Sequence, residues 1–303
     1  FDGTGSSPIT GLDLDDQGRA VFNTFRSVFI YDGETATPLT IASDILATNF
    51  VSSFATDAAG MVWVGTDGGM HRLDPANPDG VWETFRSDSS SANTPGGNWA
   101  RAFATAPNGD VLVAITNGSA SFYSNGQWTS FSDLYSYEAV AIDAQGRLWF
   151  GDDGKGISVL DRDGNLQFTL TDADGLPNIN VRTLLADGDT VWIGTIDGLA
   201  KYENGTLTTI FGKDDPALPD DNVTALIKEK SGALLIGTIN GITRYDGAQA
   251  TILTKLSDIA MFMSMTSMSL APDGTLWVGT TDGLLYTADD GATWTRLTIA
   301  DGL

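Results

Sequence analysis

The sequence predicts an all-β fold, a seven-bladed β-propeller of four-stranded antiparallel blades. Three observations lead there. The phrase "LWVGTTDGLLY" (residues 276–286) recurs as "VWIGTIDGLAKY" from Val191, "LLIGTINGITRY" from Leu234 and "VWVGTDGGMHRL" from Val62. The repeat length is about 40–45 residues, the span of one blade. Patterns of helical period are nearly absent, whereas short runs of period two are everywhere.

Within each unit the elements follow in a fixed order. A short alternating stretch comes first, as in "VTALIKEKSG" from Val223, and a turn of the D-x-x-G type ends it: "DDQG" at Asp15, "DAAG" at Asp57, "DAQG" at Asp143. A compact apolar strand follows, such as "LWFG" at Leu148. A tight turn of Thr, Asp, Asn and Gly leads to a third strand, and a fourth carries an aromatic or aliphatic pair, as in "QWTSF" at Gln127. Aligning the second strands on Phe22, Trp63, Leu112, Trp149, Trp192, Leu235 and Trp277 gives intervals of 41, 49, 37, 43, 43 and 42 residues. One such sheet has two apolar faces and cannot bury them alone. Packing blades around an axis buries both, and closing the ring protects the ends. The expected blades are 9–50, 51–99, 100–136, 137–180, 181–222, 223–264 and 265–303, all in a single domain over 1–303 and each built from continuous chain. The last "TIADGL" resembles the start of a loop that continues in unit four, so a longer natural chain is expected.

Composition agrees with a globular protein. Of 303 residues, 42% are hydrophobic and 18% charged. The net charge is −23, and only five of the 39 acidic residues are Glu. Asp favours turns and disfavours helices, so the acidity is read as turn chemistry. It excludes nucleic acid as a partner, whose binders are basic, and docking on anionic membranes. The absence of Cys excludes disulfides and thiol catalysis. No run is long enough to span a membrane, and "FDGTGSSP" has no signal-peptide pattern.

The pattern G-x-L-W-V-G-T-x-x-G-L-x-x-Y-D followed by D-G-L-P-x-N-x-V resembles the two-component regulator propeller repeat. "GLPNINVRTLL" and "LPDDNVTALIKEKSGALLIGT" carry the resemblance, which covers essentially the whole chain. "TADDGATW" (Thr287 to Trp294) looks like an Asp-box, a folding motif of sialidase-like propellers. The regulator resemblance implies a bacterial, extracytoplasmic ligand-sensing module. With the single His off the binding face, the role is read as non-catalytic recognition of a protein or glycan, with no cofactor assigned. No histidine-kinase or response-regulator segment is visible.

In such a ring the loops leading into each first strand share one face with the turns between second and third strands. Ligand-binding candidates on that face are Arg26, Phe50, Asp67, Trp99, Arg101, Tyr135, Tyr137, Asp153, Arg182, Asp197, Phe262, Met263 and Asp282. Trp99 stands out because the other seven Trp residues fall on strand positions. It follows the insertion "RSDSSSANTPGGNW" and reads either as an aromatic platform beside Arg101 or as a plug beneath its own loop. Met261, Met263, Met265 and Met268 have the M-x-M spacing that suits Cu(I). Alignment instead puts Met265 and Met268 in the core and leaves Met261 and Met263 as an adaptable surface.

No metal site is assigned. "DRDGN" at Asp161 and "DADG" at Asp172 lack the Gly and Glu of a calcium loop and read as hairpin turns, with a bound Ca²⁺ kept as the alternative. His71, the only His, falls on a third strand at a surface or inter-blade position, where it cannot serve a triad or a metal. Streptogramin lyases, a similar-looking family, need His and Glu with a metal. Two further readings stay open: a lyase or hydrolase using Asp, Tyr and Arg, with Arg26, Arg101, Arg182, Tyr135 and Glu138 within reach, and a structural subunit pairing through edge strands such as "LTTIFG" and "ATILTK".

Overall fold

The computed structural model describes residues 8–15, 17–24, 27–38, 51–77, 82–116, 119–131, 137–259 and 263–297. Arg26, Phe50, Tyr135 and Phe262 lie outside the described residues, as does the side chain of Tyr137.

Seven four-stranded sheets are present, and each runs through four consecutive strands with antiparallel neighbours. The first strands are Gly11–Leu14, Val51–Thr56, Ala100–Thr105, Tyr137–Ile142, Val181–Asp187, Val223–Lys228 and Met265–Leu270. They touch one another in sequence and the seventh touches the first, so they surround the axis of a closed ring. Closure is direct. The Ile9 amide donates to the Thr280 carbonyl at 3.0 Å, and Thr266 Oγ1 donates to the Ile9 carbonyl at 2.6 Å. Among the described residues, no strand from one end of the chain completes the sheet of the other.

Seven buried clusters fill the seven interfaces between neighbouring blades. Four of these interfaces share one device. The Trp of a second strand meets, edge to face, a Tyr on the third strand of the next blade. The centroid separations are 5.3 Å for Trp63–Tyr123, 5.0 Å for Trp149–Tyr202, 6.3 Å for Trp192–Tyr245 and 5.7 Å for Trp277–Tyr31. Each pair adds about 0.5–1.5 kcal/mol beyond the area it buries. Where the Trp is missing the Tyr is missing too. The matching positions are Val21 and Leu73 between blades 1 and 2, Leu112 and Leu160 between blades 3 and 4, and Leu235 and Thr287 between blades 6 and 7.

This register corrects the alignment of the first unit. Val21, opposite Asp13, is the residue equivalent to Trp63, opposite Ala55. Phe22 is one position on and faces the other way, into the cluster shared with Trp277 and Leu284. A one-residue slip in a strand exchanges its faces, and two bulky apolar residues in a row hid the slip.

The turns explain the Asp content. Asp57 accepts the amides of Ala59 and Met61 at 2.9 and 3.1 Å, and its second oxygen takes the indole N–H of Trp63 at 2.8 Å. Asp143 does the same for Gln145, Arg147 and Trp149. In the G-T-x-x-G turns the buried hydroxyls of Thr66, Thr195, Thr238 and Thr280 donate to the carbonyl three residues on, at 2.7–3.0 Å. The Asp-box closes on itself: Asp289 accepts from the Thr293 hydroxyl at 2.6 Å and the Thr293 amide at 2.8 Å, which holds its carboxyl below the usual range. Asp161 caps a hairpin as expected. Asp172–Asp174 does not form a hairpin. It is a 3-10 turn in the connection between blades 4 and 5, where Asp174 accepts from the Thr171 amide and hydroxyl.

Of the two positions open to His71, the buried one holds: it is fully buried on the third strand of blade 2, with its ring nitrogens 3.4 Å from Thr66 Oγ1 and 3.1 Å from Thr84 Oγ1. One expectation changes: Met263 is no adaptable surface. It is 4% exposed and packs in the core between blades 6 and 7 with Met265 and Met268.

Candidate functional site at the channel mouth

In six blades the pairing of first and second strands skips one residue, always the second of the first strand. The skipped residues are Ser52, Arg101, Glu138, Arg182, Thr224 and Thr266. A bulge leaves such a residue outside the ladder and re-aims its side chain. Thr10 holds the equivalent place in blade 1, with its amide on the Asn23 carbonyl. The glycine opposite the bulge has its own reason. A Cβ at Gly151, Gly194, Gly237 or Gly279 would lie 2.5–2.9 Å from Val181, Val223, Met265 or Ile9, the residue just before the bulge in the next blade.

The ring divides into two arcs. On one, hydroxyls are spent on backbone. Ser52 Oγ donates to the Ala100 carbonyl, Thr224 Oγ1 to Gly237 at 3.5 Å and Thr266 Oγ1 to Ile9 at 2.6 Å, while Thr10 Oγ1 accepts from the Asn23 side chain at 2.5 Å. The other arc is charged. Glu138 in blade 4 accepts from Arg101 Nη2 of blade 3 on Oε1 and from Arg182 Nη1 of blade 5 on Oε2, each at 2.8 Å. The three side chains are about one-third exposed. One carboxylate against two guanidiniums leaves a net positive arc on a chain of charge −23. Each guanidinium has five N–H donors, and among the described residues each gives one to Glu138. The remaining donors suit a carboxylate or a set of hydroxyls.

Trp99 is 42% exposed and sits two residues from Arg101. The insertion before it folds outward. Asn93 Oδ1 takes the Trp128 amide at 2.7 Å, and Ser121 Oγ takes the Gly96 amide at 2.9 Å. The loop is fastened to the outer strands of blade 3, so the indole is not buried under it.

Blade 4 breaks the repeat at the same place. Its turn reads "GDDGKG", and Asp152 occupies the slot that Thr66, Thr195, Thr238 and Thr280 fill elsewhere. Asp152 is 5% exposed, and among the described residues its Oδ2 has no hydrogen-bond partner. Burial pushes this carboxyl up, although Lys155 opposes the rise. Asp153, one of the expected candidates, pairs through its backbone with Asn180. Sequence reasoning passed over Asp152; the signal was Asp in the Thr place of an otherwise regular G-T turn.

The other turn candidates serve the scaffold. Asp197 accepts from the Asn178 side chain at 2.7 Å and is 3.8 Å from Lys213, and Asp282 is ion-paired with Arg296. Asp67 lies in the turn before Gly69, half-buried. Among the described residues no three His, Cys, Asp or Glu side chains converge as a metal-holding group. Burial first, and the nearby Arg86 charge second, bring the His71 pKa down to about 4, so the ring is neutral at physiological pH. No helix among the described residues is long and apolar enough to cross a membrane.

Comparison with known proteins agrees with the geometry. The family model for the two component regulator propeller matches residues 45–68. No curated protein matches the chain. Among solved structures, the extracellular domain of the hybrid two component system BT3049 from B. thetaiotaomicron superposes with a TM-score of 0.75 at 17% identity, over 93% of this chain and 40% of that one. This chain therefore spans well under half the length of that extracellular domain. A streptogramin B lyase superposes at 0.71 with 12% identity over 92% of both chains, and the WD40 propeller domain of Doa1 at 0.72 with 14% identity over 96% and 97%. At these identities the likeness is one of fold.

Proposed function

We propose that this seven-bladed propeller, which carries the two-component regulator repeat, is an extracytoplasmic, sensor-type recognition module that binds an anionic glycan or peptide at its channel mouth. The observation that carries the reading is the Arg101–Glu138–Arg182 arc, set at one level by a bulge repeated in successive blades. Trp99, exposed and two residues before Arg101, supplies an aromatic face suited to a sugar ring or a partner's side chain. The family match and the extracellular neighbours support placement outside the cytoplasm. The test is a thermal-shift and calorimetric screen of uronic-acid oligosaccharides and acidic peptides, since a ligand bound only by the folded state raises the midpoint. A ligand whose affinity falls at least about tenfold in Arg182→Ala, as expected for a lost charge-assisted pair, supports the reading. A ligand indifferent to Arg101, Arg182 and Trp99 substitutions sinks it.

Asp152 favours one second reading. A buried carboxyl whose pKa is pushed up by desolvation is the direction a general acid needs, and a streptogramin B lyase shares the fold. Asp152→Asn then abolishes turnover of a bound ligand and leaves its affinity intact. A pure recognition module shows no turnover to lose.

A further inference from the structure

The interface between blades 6 and 7 lacks both members of the Trp–Tyr pair, and a cleft of about 840 Å³ opens there. Leu235 and Thr287, at the two pair positions, both line it, together with Ile227, Leu253 and Leu270. The other two interfaces without the pair hold other rings, as this one holds Trp294, which is not among the residues lining the cleft. Trp82 packs between blades 1 and 2, and Phe122, Phe131 and Phe150 pack between blades 3 and 4. Between blades 6 and 7 the cluster is built of Leu, Ile, Val and Met around the half-buried Trp294.

A cation marks the same spot. In blade 2, Arg72 lies opposite Trp63 on the third strand, is ion-paired with Glu83, and holds its guanidinium 5.1 Å from the indole centroid. In blade 5, Lys201 lies opposite Trp192 at 5.8 Å. Arg244 takes this position in blade 6, opposite Leu235. It is fixed at the cleft by Glu229 at 2.7 Å and by Asp290, from blade 7, at 2.8 Å. No aromatic ring among the described residues lies against it. The cleft thus has an apolar floor and an anchored guanidinium, the surroundings that hold an indole elsewhere in this chain.

We propose that the cleft between blades 6 and 7 is a binding site for a small planar aromatic molecule of one or two fused rings, seated on Leu253 and Leu270 with its face toward Arg244. Its volume is that of ordinary small-molecule sites, so it takes a ring with an appended polar group. It opens between blades and is separate from the channel mouth.

Indole is the probe, measured by ligand-observed saturation-transfer NMR on the whole chain. For nine heavy atoms a Kd on the order of 1 mM is expected. Leu235→Trp fills the floor as in the four paired interfaces and weakens binding at least about tenfold. Arg244→Leu removes the cation–π contact and weakens it about threefold. If Leu235→Trp does not fold, Leu270→Phe replaces it as the filling variant. Arg182→Ala, at the channel mouth, leaves indole binding unchanged. Absence of saturation transfer at about 5 mM indole, five times that Kd, or transfer that survives the filling variant, overturns the proposal.

Discussion

Glu138 holds two arginines with two oxygens, and its removal has a signed consequence. Glu138→Gln frees both guanidiniums and raises the charge of the arc by one. An anionic ligand is then expected to bind about three- to tenfold tighter, with a steeper dependence on salt. Titration calorimetry at two ionic strengths reads both. Two buried groups give the fold opposite pH slopes. Asp152 has a raised pKa, so the folded state holds its proton more tightly than the unfolded chain does. Its burden on stability is present above the folded pKa and fades as pH falls toward the ordinary carboxylate value. Asp152→Thr restores the repeat and is expected to raise Tm at pH 7 by about 1–2 °C, corresponding to about 1 kcal/mol for a buried unsatisfied group. The gain shrinks near pH 4. His71 works the other way. Its pKa falls from 6.5 to about 4 on folding, so stability is lost as pH drops through that window. His71→Leu, which copies the equivalent Leu285 of blade 7, flattens the Tm profile between pH 7 and 4.5 if burial of the neutral ring is the cause; an unchanged profile removes that explanation.

Among the elements, the pairing of Trp in one blade with Tyr in the next is the repeating unit of cohesion. A double-mutant cycle on Trp149 and Tyr202 is expected to give a coupling of about 1 kcal/mol, against near zero for Trp149 with the distant Tyr31. Gly194→Ala puts a methyl 2.5 Å from Thr183 and 2.7 Å from Val223 and is expected to cost about 1–3 kcal/mol, read as a lower urea midpoint. At this scale much was legible in the sequence. Strand order, the D-x-x-G and G-T turns and the Asp-box follow from local hydrogen bonding that fixed spacings reveal. The Trp–Tyr pairing was also written there, as the shared presence or absence of two residues about 50–60 positions apart, or at opposite ends of the chain for Trp277 and Tyr31, separations that reading unit by unit does not join. The bulge was not legible, because one extra residue in a six-residue strand barely disturbs alternation. For that reason Arg101, Glu138 and Arg182 stood as separate candidates until the register showed them at one level. Met263 was misplaced because it lies where a connection folds inward, and local pattern does not report that; for His71 the third-strand position was legible, and only the choice between surface and inter-blade burial was not.

As a whole molecule the propeller has no common core. It has seven interfaces in series, and its closure rests on the contact of blade 7 with blade 1. In such a quasi-linear array stability is a sum of neighbour terms plus the closing one. Weakening that term with Ile9→Ala should expose blades 1 and 7 to hydrogen exchange ahead of blades 3 to 5. Uniform loss of protection across all blades would mean that closure is not the weak seam. The bulged residues carry a different consequence. Each stands outside the strand ladder, at one height, in its own blade. The channel mouth therefore resembles a row of exchangeable type, six bulged characters with Thr10 as the seventh: a protein engineer can reset its chemistry one blade at a time, while the sheets that carry it keep their hydrogen bonds.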